Sequence, residues 1–196
     1  MANQADRRAA TRAKLIHAAI HHFAEHGFED THTSAILEDA GVSRGAMYHH
    51  FPSKQALFEA VFLHVSETAI AAANEAGAGK ASPLQALLAG CHGWLKAAED
   101  KVVASILLEQ GPQVLGWARA RELEEASSLG LVKRGLFRAQ HAGEIDAASI
   151  ELTARLLNAA LAEIALARLH LNPPPSQADQ TAMLKQVFRG IKAKGA

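Results

Sequence analysis

The stretch 33–51, TSAILEDAGVSRGAMYHHF, constrains the fold of this chain more than any other part of it. Threonine and serine favour helix N-termini, so Thr33 and Ser43 each mark the start of a short helix. Ile36 and its apolar neighbours give the first helix one apolar face, and Gly41 is of the residue type at which helices commonly end. The spacing predicts two short helices joined by a tight turn, a helix-turn-helix.

The second of these helices has two unlike faces. Helical periodicity places Met47 and Phe51 on the inward face, while Gly45 and His49 lie opposite Met47. The outward face is therefore small at one end and polar or aromatic further along. A helix of about seven residues is only ~10 Å long, which fits a DNA major groove ~12 Å wide better than it fits a protein core.

The run 41–61, GVSRGAMYHHFPSKQALFEAV, follows an amphipathic helix that ends in FAEHGF at residues 23–28. This combined pattern resembles the N-terminal DNA-binding domain of the TetR family of bacterial transcriptional regulators, over roughly residues 10–62. The resemblance implies a dimeric, all-helical repressor. In such a protein the remaining two-thirds of the chain binds a small molecule and holds the dimer together.

The resemblance also implies which side chains meet DNA. Those expected at phosphates are Thr33, Ser43, Tyr48, His50 and Lys54. Those expected at base edges are Arg44, Gly45, Ala46 and His49. Gly45 and Ala46 would permit close approach rather than supply hydrogen bonds, and alanine at position 46 departs from the family pattern because it removes a polar reader. For Lys54, a purely solvated place at the start of its helix is the alternative.

Charge must act locally if this chain binds DNA. Twenty basic and twenty acidic residues cancel over the whole sequence, so there is no overall attraction to nucleic acid. Basic side chains are instead gathered at the start of the chain and around the second helix: Arg7, Arg8, Arg12, Lys14, Arg44 and Lys54. Arg7 and Arg8 belong either to a solvated tail or to an arm that reaches DNA, and the sequence leaves both open.

Histidines are concentrated in the first 50 residues. His17, His21 and Glu25 follow one another at intervals of one helical turn, a spacing that could bind a metal ion. They lie opposite the apolar stripe of their helix, however, and no further ligand is near in sequence. We therefore expect a polar face here, and we predict neither a metal nor a cofactor.

The remainder of the chain shows helical periodicity throughout, without an alternating strand pattern. A helix over 53–75 joins a DNA-binding domain over 1–55 to a ligand-binding and dimerisation domain over 56–196. The predicted fold class is all-α, with an N-terminal three-helix domain that contains the helix-turn-helix and a larger C-terminal helical domain. The stretch 111–125, GPQVLGWARARELEE, is similar to the C-terminal domain of one TetR subgroup.

A small-molecule pocket is predicted in the second domain, from apolar residues with a few polar groups among them. The candidate lining residues are Cys91, Trp94, Leu108 and Trp117. For both tryptophans, a simple place in the core is the alternative. Cys91 and His92 do not make a catalytic pair, because adjacent helical residues point about 100° apart.

Two helices close the chain, over about 147–171 and 176–192, and Asp146 is predicted to cap the first. The first is apolar over a wide arc, and a short proline-rich turn makes the two antiparallel. In a dimer, two such pairs would form a four-helix bundle. The predicted interface residues are Leu157, Leu161, Ile164, Leu184, Val187 and Phe188. A core within a single chain is the alternative.

These features predict a homodimeric, cytoplasmic repressor that binds a double-stranded inverted-repeat operator and is released by an unknown small-molecule effector. A DNA-binding regulator without a small-molecule effector is the alternative. An enzyme is not expected, since no paired carboxylates, phosphate loop or nucleophile constellation is found. Cys91 is the only cysteine, which excludes a disulfide framework within the chain. No uncharged apolar run approaches the ~20 residues that a bilayer requires, so no membrane is expected as a partner.

Overall fold

A computed structural model describes residues 4–192 of the chain. These residues are helical apart from turns and an isolated antiparallel bridge between Ile145 and Lys192. The helices are α1 Gln4–Asp30, α2 Thr33–Ala40, α3 Arg44–His50, α4 Lys54–Gly77, α5 Pro83–Ala97, α6 Lys101–Ala104, α7 Gly111–Leu115, α8 Trp117–Ala126, α9 Ser128–His141, α10 Ile150–His170 and α11 Gln177–Ile191. A π-helical segment, Ser105–Gln110, lies between α6 and α7. The predicted all-α fold class is confirmed.

The described residues form two compact units. The first contains residues 4–65 and 101–120, and the second contains 66–100 and 121–192. The sequence-based division assigns 56–65 and 101–120 to the second domain, whereas the structure groups both segments with the first helices. The segment 101–120 joins the first unit through contacts with α1, among them a hydrogen bond of 2.9 Å from the side-chain amide of Gln110 to the carbonyl oxygen of Phe23.

Three phenylalanines hold the end of α1 against the first half of α4. The rings of Phe23, Phe28 and Phe58 lie with centroids 5.3 to 5.7 Å apart, a separation that is favourable for aromatic pairs. Phe23 and Phe58 are fully buried. Gly27 lies between Phe23 and Phe28 in the sequence and has a φ of 78°. This positive-φ conformation interrupts the helix near its predicted end, and glycine adopts it without strain.

The helix-turn-helix forms as predicted. Gly41 ends α2 in the left-handed conformation with a φ of 61°. Ser43 caps α3, since its Oγ accepts a hydrogen bond from the N–H of Ala46 at 3.3 Å. One detail differs from the prediction: His32 rather than Thr33 is the N-cap residue of α2, and its side chain makes no capping hydrogen bond.

In the second unit, α4 and α5 approach closely because small residues face each other. A Cβ added to Gly93 would lie 2.7 Å from the Cβ of Ala76 and 2.8 Å from the carbonyl oxygen of Ala72. A Cβ added to Gly77 would lie 2.9 Å from the carbonyl oxygen of Ala86. Close packing of backbone on backbone therefore leaves no space for a side chain at either glycine.

Serines cap the last two helices. The Oγ of Ser149 accepts a hydrogen bond from the N–H of Leu152 at 3.3 Å, so the predicted cap at Asp146 is wrong. Asp146 instead makes a backbone contact with the end of α11: its N–H donates a hydrogen bond to the carbonyl oxygen of Ile191 at 2.9 Å. Before α11, Ser176 forms a reciprocal capping box with an aspartate three residues later.

The helix α4 has the length and composition to cross a membrane, with a mean hydropathy of 1.4 over its most apolar window. Half of that window is buried inside the protein. A buried core helix has the same composition as a spanning helix of this length. We therefore interpret α4 as a core helix.

The contact between α4 and α5 predicts a stability effect at Gly93. The substitution Gly93→Ala should lower the free energy of unfolding by about 1–3 kcal/mol, because the added methyl meets a backbone carbonyl that cannot move away. Gly190→Ala in α11 is the control, since a Cβ there has nothing within 4 Å and alanine favours the helix. Thermal unfolding of the two variants measures the difference, and equal melting temperatures would contradict the close contact.

Candidate nucleic-acid interface and ligand cavity

The short helix α3 presents an apolar side to the core and a polar side to solvent. Met47 is fully buried, and Phe51, which follows the helix, is 4% exposed. Arg44, Gly45 and His49 are exposed, and helical periodicity predicts the outward side of α3 for Gly45 and His49. A Cβ on Gly45 would have no neighbour within 4 Å. This glycine therefore leaves open space on the outer surface of α3.

Arg44 and Tyr48 form a pair at the edge of this outer surface. The guanidinium carbon of Arg44 lies 5.7 Å from the ring centroid of Tyr48, within the range of a cation–π contact. Tyr48 is 42% exposed, so its hydroxyl is accessible from solvent. Ala46 is half-buried on the same helix and adds no polar group.

A basic surface made of Arg8, Arg12, His49 and His50 lies beside the end of α3. The guanidinium carbon of Arg12 is 5.3 Å from the ring centroid of Phe51, and the rings of His49 and His50 are 5.7 Å apart. Burial lowers the pKa of His50 below its ordinary value of 6.5, and the positive charges of Arg8, His49 and Arg12 lower it further. The charges that act on the pKa of His50 are therefore all positive, and no carboxylate is among them.

The first arginines belong to a helix rather than to a tail. The helix α1 begins at Gln4, so Arg7 and Arg8 are helical and exposed. The charge of Arg8 acts on His50, which places the start of α1 close to the end of α3. This arrangement enlarges the basic surface beyond the helix-turn-helix itself.

The hydroxyl residues predicted at phosphates lie at the starts of their helices. Thr33 is half-buried at the first position of α2, and Ser43 is exposed before α3. The Oγ of Ser43 accepts the capping hydrogen bond from Ala46, so its O–H stays able to donate. A phosphate oxygen requires a donor of this kind.

Lys54 is tied to the backbone at the end of α1. Its ammonium group donates hydrogen bonds to the carbonyl oxygens of Phe28 at 2.6 Å, Glu29 at 3.2 Å and Thr31 at 3.0 Å. It also lies 4.4 Å from the ring centroid of Phe28. An ammonium group has three donors, and these carbonyls use all of them. The solvated alternative for Lys54 is wrong, and the residue has a structural role that its sequence position alone does not reveal.

The histidines of α1 make separate contacts. The ring of His17 lies 5.5 Å from that of His64 in α4, and the Nε2 of His22 lies 3.6 Å from a carboxylate oxygen of Asp39 in α2. His21 is exposed. Within residues 4–192, no group of three or more histidine, cysteine, aspartate or glutamate side chains is placed to hold a metal ion.

A cavity of about 640 Å³ lies within the second unit, a size typical of small-molecule sites. Of the predicted lining residues, Cys91 and Trp94 border it. Leu108 and Trp117 do not: they belong to the first unit, where Leu108 is half-buried and Trp117 is 74% exposed. Burial raises the pKa of the Cys91 thiol to about 12, so this residue contributes an inert, apolar surface.

The residues predicted at a dimer interface lie mostly inside the chain. Leu157 and Leu184 are fully buried, and Leu161 and Phe188 are 4% exposed, because α10 and α11 turn these sides inward. Ile164 and Val187 are half-buried. The first four therefore form a core within one chain, the alternative that the sequence left open.

Other apolar side chains of α10 are exposed. Leu152 is 63% exposed and Leu156 is 71% exposed. Ala159 is also exposed and lies on the same side of the helix. We call these three residues the outer face of α10.

Comparisons with known proteins agree with this architecture. Residues 15–61 match the model of the bacterial regulatory proteins of the tetR family, and residues 84–191 match the tetracyclin repressor-like C-terminal domain. Over 65 residues the chain is 40% identical to the HTH-type transcriptional regulator UidR of Escherichia coli K12, a match that covers 33% of each chain. The matched part thus spans about a third of the length of this curated relative.

Solved structures share the fold over nearly the whole chain. A TetR-family regulator from Rhodococcus sp. is 20% identical with a TM-score of 0.77, and the match covers 94% of this chain and 100% of that one. A TetR-family regulator from Shewanella sp. PV-4 is 20% identical with a TM-score of 0.74, covering 93% and 98%.

The helices, the turn at Gly41 and the outward side of α3 define a helix-turn-helix protein of the all-α class. The C-terminal domain model alone matches more than half of the sequence, and the N-terminal model matches the helix-turn-helix. The chain belongs to the TetR family.

The contacts of Lys54 predict that its loss destabilises the first unit. The substitution Lys54→Met should lower the free energy of unfolding by about 1–2 kcal/mol, because three carbonyl oxygens lose a charged donor. Lys14→Met on the exposed side of α1 is the matched control and should change little. Thermal unfolding of both variants tests this, and an unchanged melting temperature for the Lys54 variant would show that water replaces the ammonium without cost.

Proposed function

We propose that the protein is a sequence-specific DNA-binding transcriptional regulator that acts as a homodimer in the cytoplasm. In this proposal it represses transcription from an inverted-repeat operator until a small molecule binds. The observation that carries the proposal is the fixed position of α3, which buries Met47 and Phe51 and leaves Arg44, Gly45 and His49 exposed. A regulator of this kind needs no catalytic group, and we expect no enzymatic activity.

The DNA-facing roles follow from chemistry and exposure. Arg44 and His49 can donate to base edges in the major groove, and Gly45 with Ala46 lets α3 approach them. Ser43, Tyr48 and the basic surface would hold phosphates on either side. Thr33, at the start of α2, would bind a phosphate in the same way. Lys54 would act on phosphates only indirectly, by fixing the end of α1 where its ammonium group is bound.

The outer face of α10 is the proposed centre of the dimer interface. Leu152, Leu156 and Ala159 expose apolar surface that a monomer in water would leave unfavourably solvated. Ile164 and Val187, both half-buried, can extend the contact. A two-fold axis through this face would pair each helix with its own copy. Two recognition helices would then meet one side of the DNA duplex, about one helical turn or slightly more apart.

The continuous helix α4 is the proposed connection between effector and DNA. Its first residues pack with the first unit, where the side-chain amide of Gln55 donates to the carbonyl oxygen of Val114 at 2.8 Å. Its last third, from Ile70 onward, borders the cavity. A ligand that fits only one position of α4 would favour that position, and couplings of this type are typically about 1–3 kcal/mol.

Selection from a pool of random duplex DNA tests the proposed function. We expect one inverted repeat to be enriched, and Arg44→Ala to weaken binding to it by about 1–3 kcal/mol while relaxing the preference at one position of each half-site. Arg189→Ala, an exposed arginine of α11, is the control and should leave affinity unchanged. Salt-sensitive binding without any enriched sequence would overturn the proposal.

The pKa of His50 predicts a pH-dependent affinity. Its pKa is lowered in the free protein, and a phosphate would raise it on binding, so protonation and DNA binding favour each other. Operator affinity should rise several-fold as the pH falls from about 7.5 to about 5.5, with most of the gain below 6.5. His50→Gln should flatten the dependence, whereas His21→Gln should not. A flat profile in the unmodified protein would remove His50 from the phosphate contacts.

The outer face of α10 predicts the oligomeric state of a charge variant. Leu156→Glu should produce a folded monomer. The leucine is exposed and is not needed for folding of the single chain, whereas the carboxylate introduced by the substitution would be buried in the dimer. Leu171→Glu, at an exposed leucine beyond the helix end (58% exposed), should stay dimeric. Light scattering gives the mass and circular dichroism the folded state. A Leu156→Glu protein that remains a dimer would place the interface elsewhere.

A further inference from the structure

The charges around the cavity of the second unit all have the same sign. Its charged lining residues are Lys80, Arg134 and Arg138, and no aspartate or glutamate borders it. Arg134 and Arg138 are one helical turn apart on α9 and therefore point to the same side. All three are exposed, and we call them the cationic rim of the cavity.

These three cations have no carboxylate partner among residues 4–192. Their neighbour Lys133, by contrast, forms ion pairs with Glu125 and Glu151, which raise its pKa. The same helix thus pairs Lys133 with two carboxylates of this chain and leaves two exposed arginines in the cationic rim. Pairing with a mobile anion is the interaction that remains available to them.

The rest of the lining is apolar or neutral. Leu87, Leu131, Val132 and Leu161 supply aliphatic surface, and Trp94 adds an aromatic one. The neutral polar groups that can orient a ligand are Asn74, Ser82, Ser128 and Asn158. An apolar body would occupy this part, while a charged end remained at the rim.

We propose that the effector is a small amphipathic anion, with an apolar body in the cavity and a carboxylate or phosphate head between Lys80, Arg134 and Arg138. This inference rests on the proposed function for its regulatory meaning, but the binding itself can be measured separately. A neutral ligand would forgo the ion pairs, and a cationic one would be repelled by all three side chains. The cations are exposed, so solvent screening limits the expected preference for an anion to about tenfold.

The chain provides its own probe of occupancy. Trp94 borders the cavity, whereas the other tryptophan, Trp117, lies in the first unit and is 74% exposed. The full chain carrying Trp117→Phe therefore reports on the cavity through the fluorescence of Trp94 alone. Decanoate, decyl phosphate and decanol are suitable ligands, because each is an unbranched ten-carbon chain that ends in a different head group.

We expect decanoate or decyl phosphate to change the fluorescence of Trp94 at concentrations about tenfold lower than decanol. The ratio of the two anions identifies which head the rim prefers. Replacing Lys80, Arg134 and Arg138 together by glutamine should reduce the affinity for the anion to that for decanol. Arg189→Gln, the same type of substitution on α11 away from the cavity, should have no effect.

Equal affinities for anion and alcohol, or no binding of either anion, would overturn this inference. So would an anion preference that survives the substitution of all three cations. None of these results bears on DNA recognition, which the duplex selection measures on the ligand-free protein. If the protein selects an operator but shows no anion preference, the proposed function as a DNA-binding regulator stands and the proposed class of effector is wrong.

Discussion

The burial of Met47 and Phe51 is the constraint on which the outward surface of α3 depends. A helix of seven residues is not stable by itself in water, because its few hydrogen bonds do not offset the cost of nucleation. Its position is therefore set by the two side chains it buries, and by Arg12, which lies over the ring of Phe51. Because Phe51 is fixed, the outward side chains of α3 are fixed as well. A recognition surface needs this kind of preorganisation.

The helix-turn-helix of the first unit could be predicted from the sequence because it depends on residues that are close together in the chain. Ser43 caps α3 and Gly41 takes a left-handed conformation, because those residue types have strong preferences that act within a few positions. The inward and outward sides of α3 followed from helical periodicity alone. Cys91 and Trp94 border the cavity, since a helix with one apolar side turns that side toward the interior.

Features that depend on residues far apart in the chain could not be predicted from the sequence. The three carbonyl oxygens around Lys54 come from residues more than twenty positions earlier. The segment 101–120 belongs with α1 because of contacts such as that of Gln110 with Phe23, which no local pattern encodes. In α10 the apolar arc is wide enough to serve both a core and an outer surface. Periodicity therefore could not show that Leu157 points inward while Leu156 points outward.

Hydroxyl-radical footprinting of the protein on its selected operator shows whether two copies of α3 bind DNA as a symmetric pair. We predict two protected patches on one side of the duplex, related by a dyad and about one helical turn or slightly more apart. The Arg44→Ala variant should need higher concentration to give the same pattern. A single patch, or uniform protection along the DNA, would contradict this prediction, because it would mean that the exposed side of α3 does not contact base edges as one of a symmetric pair.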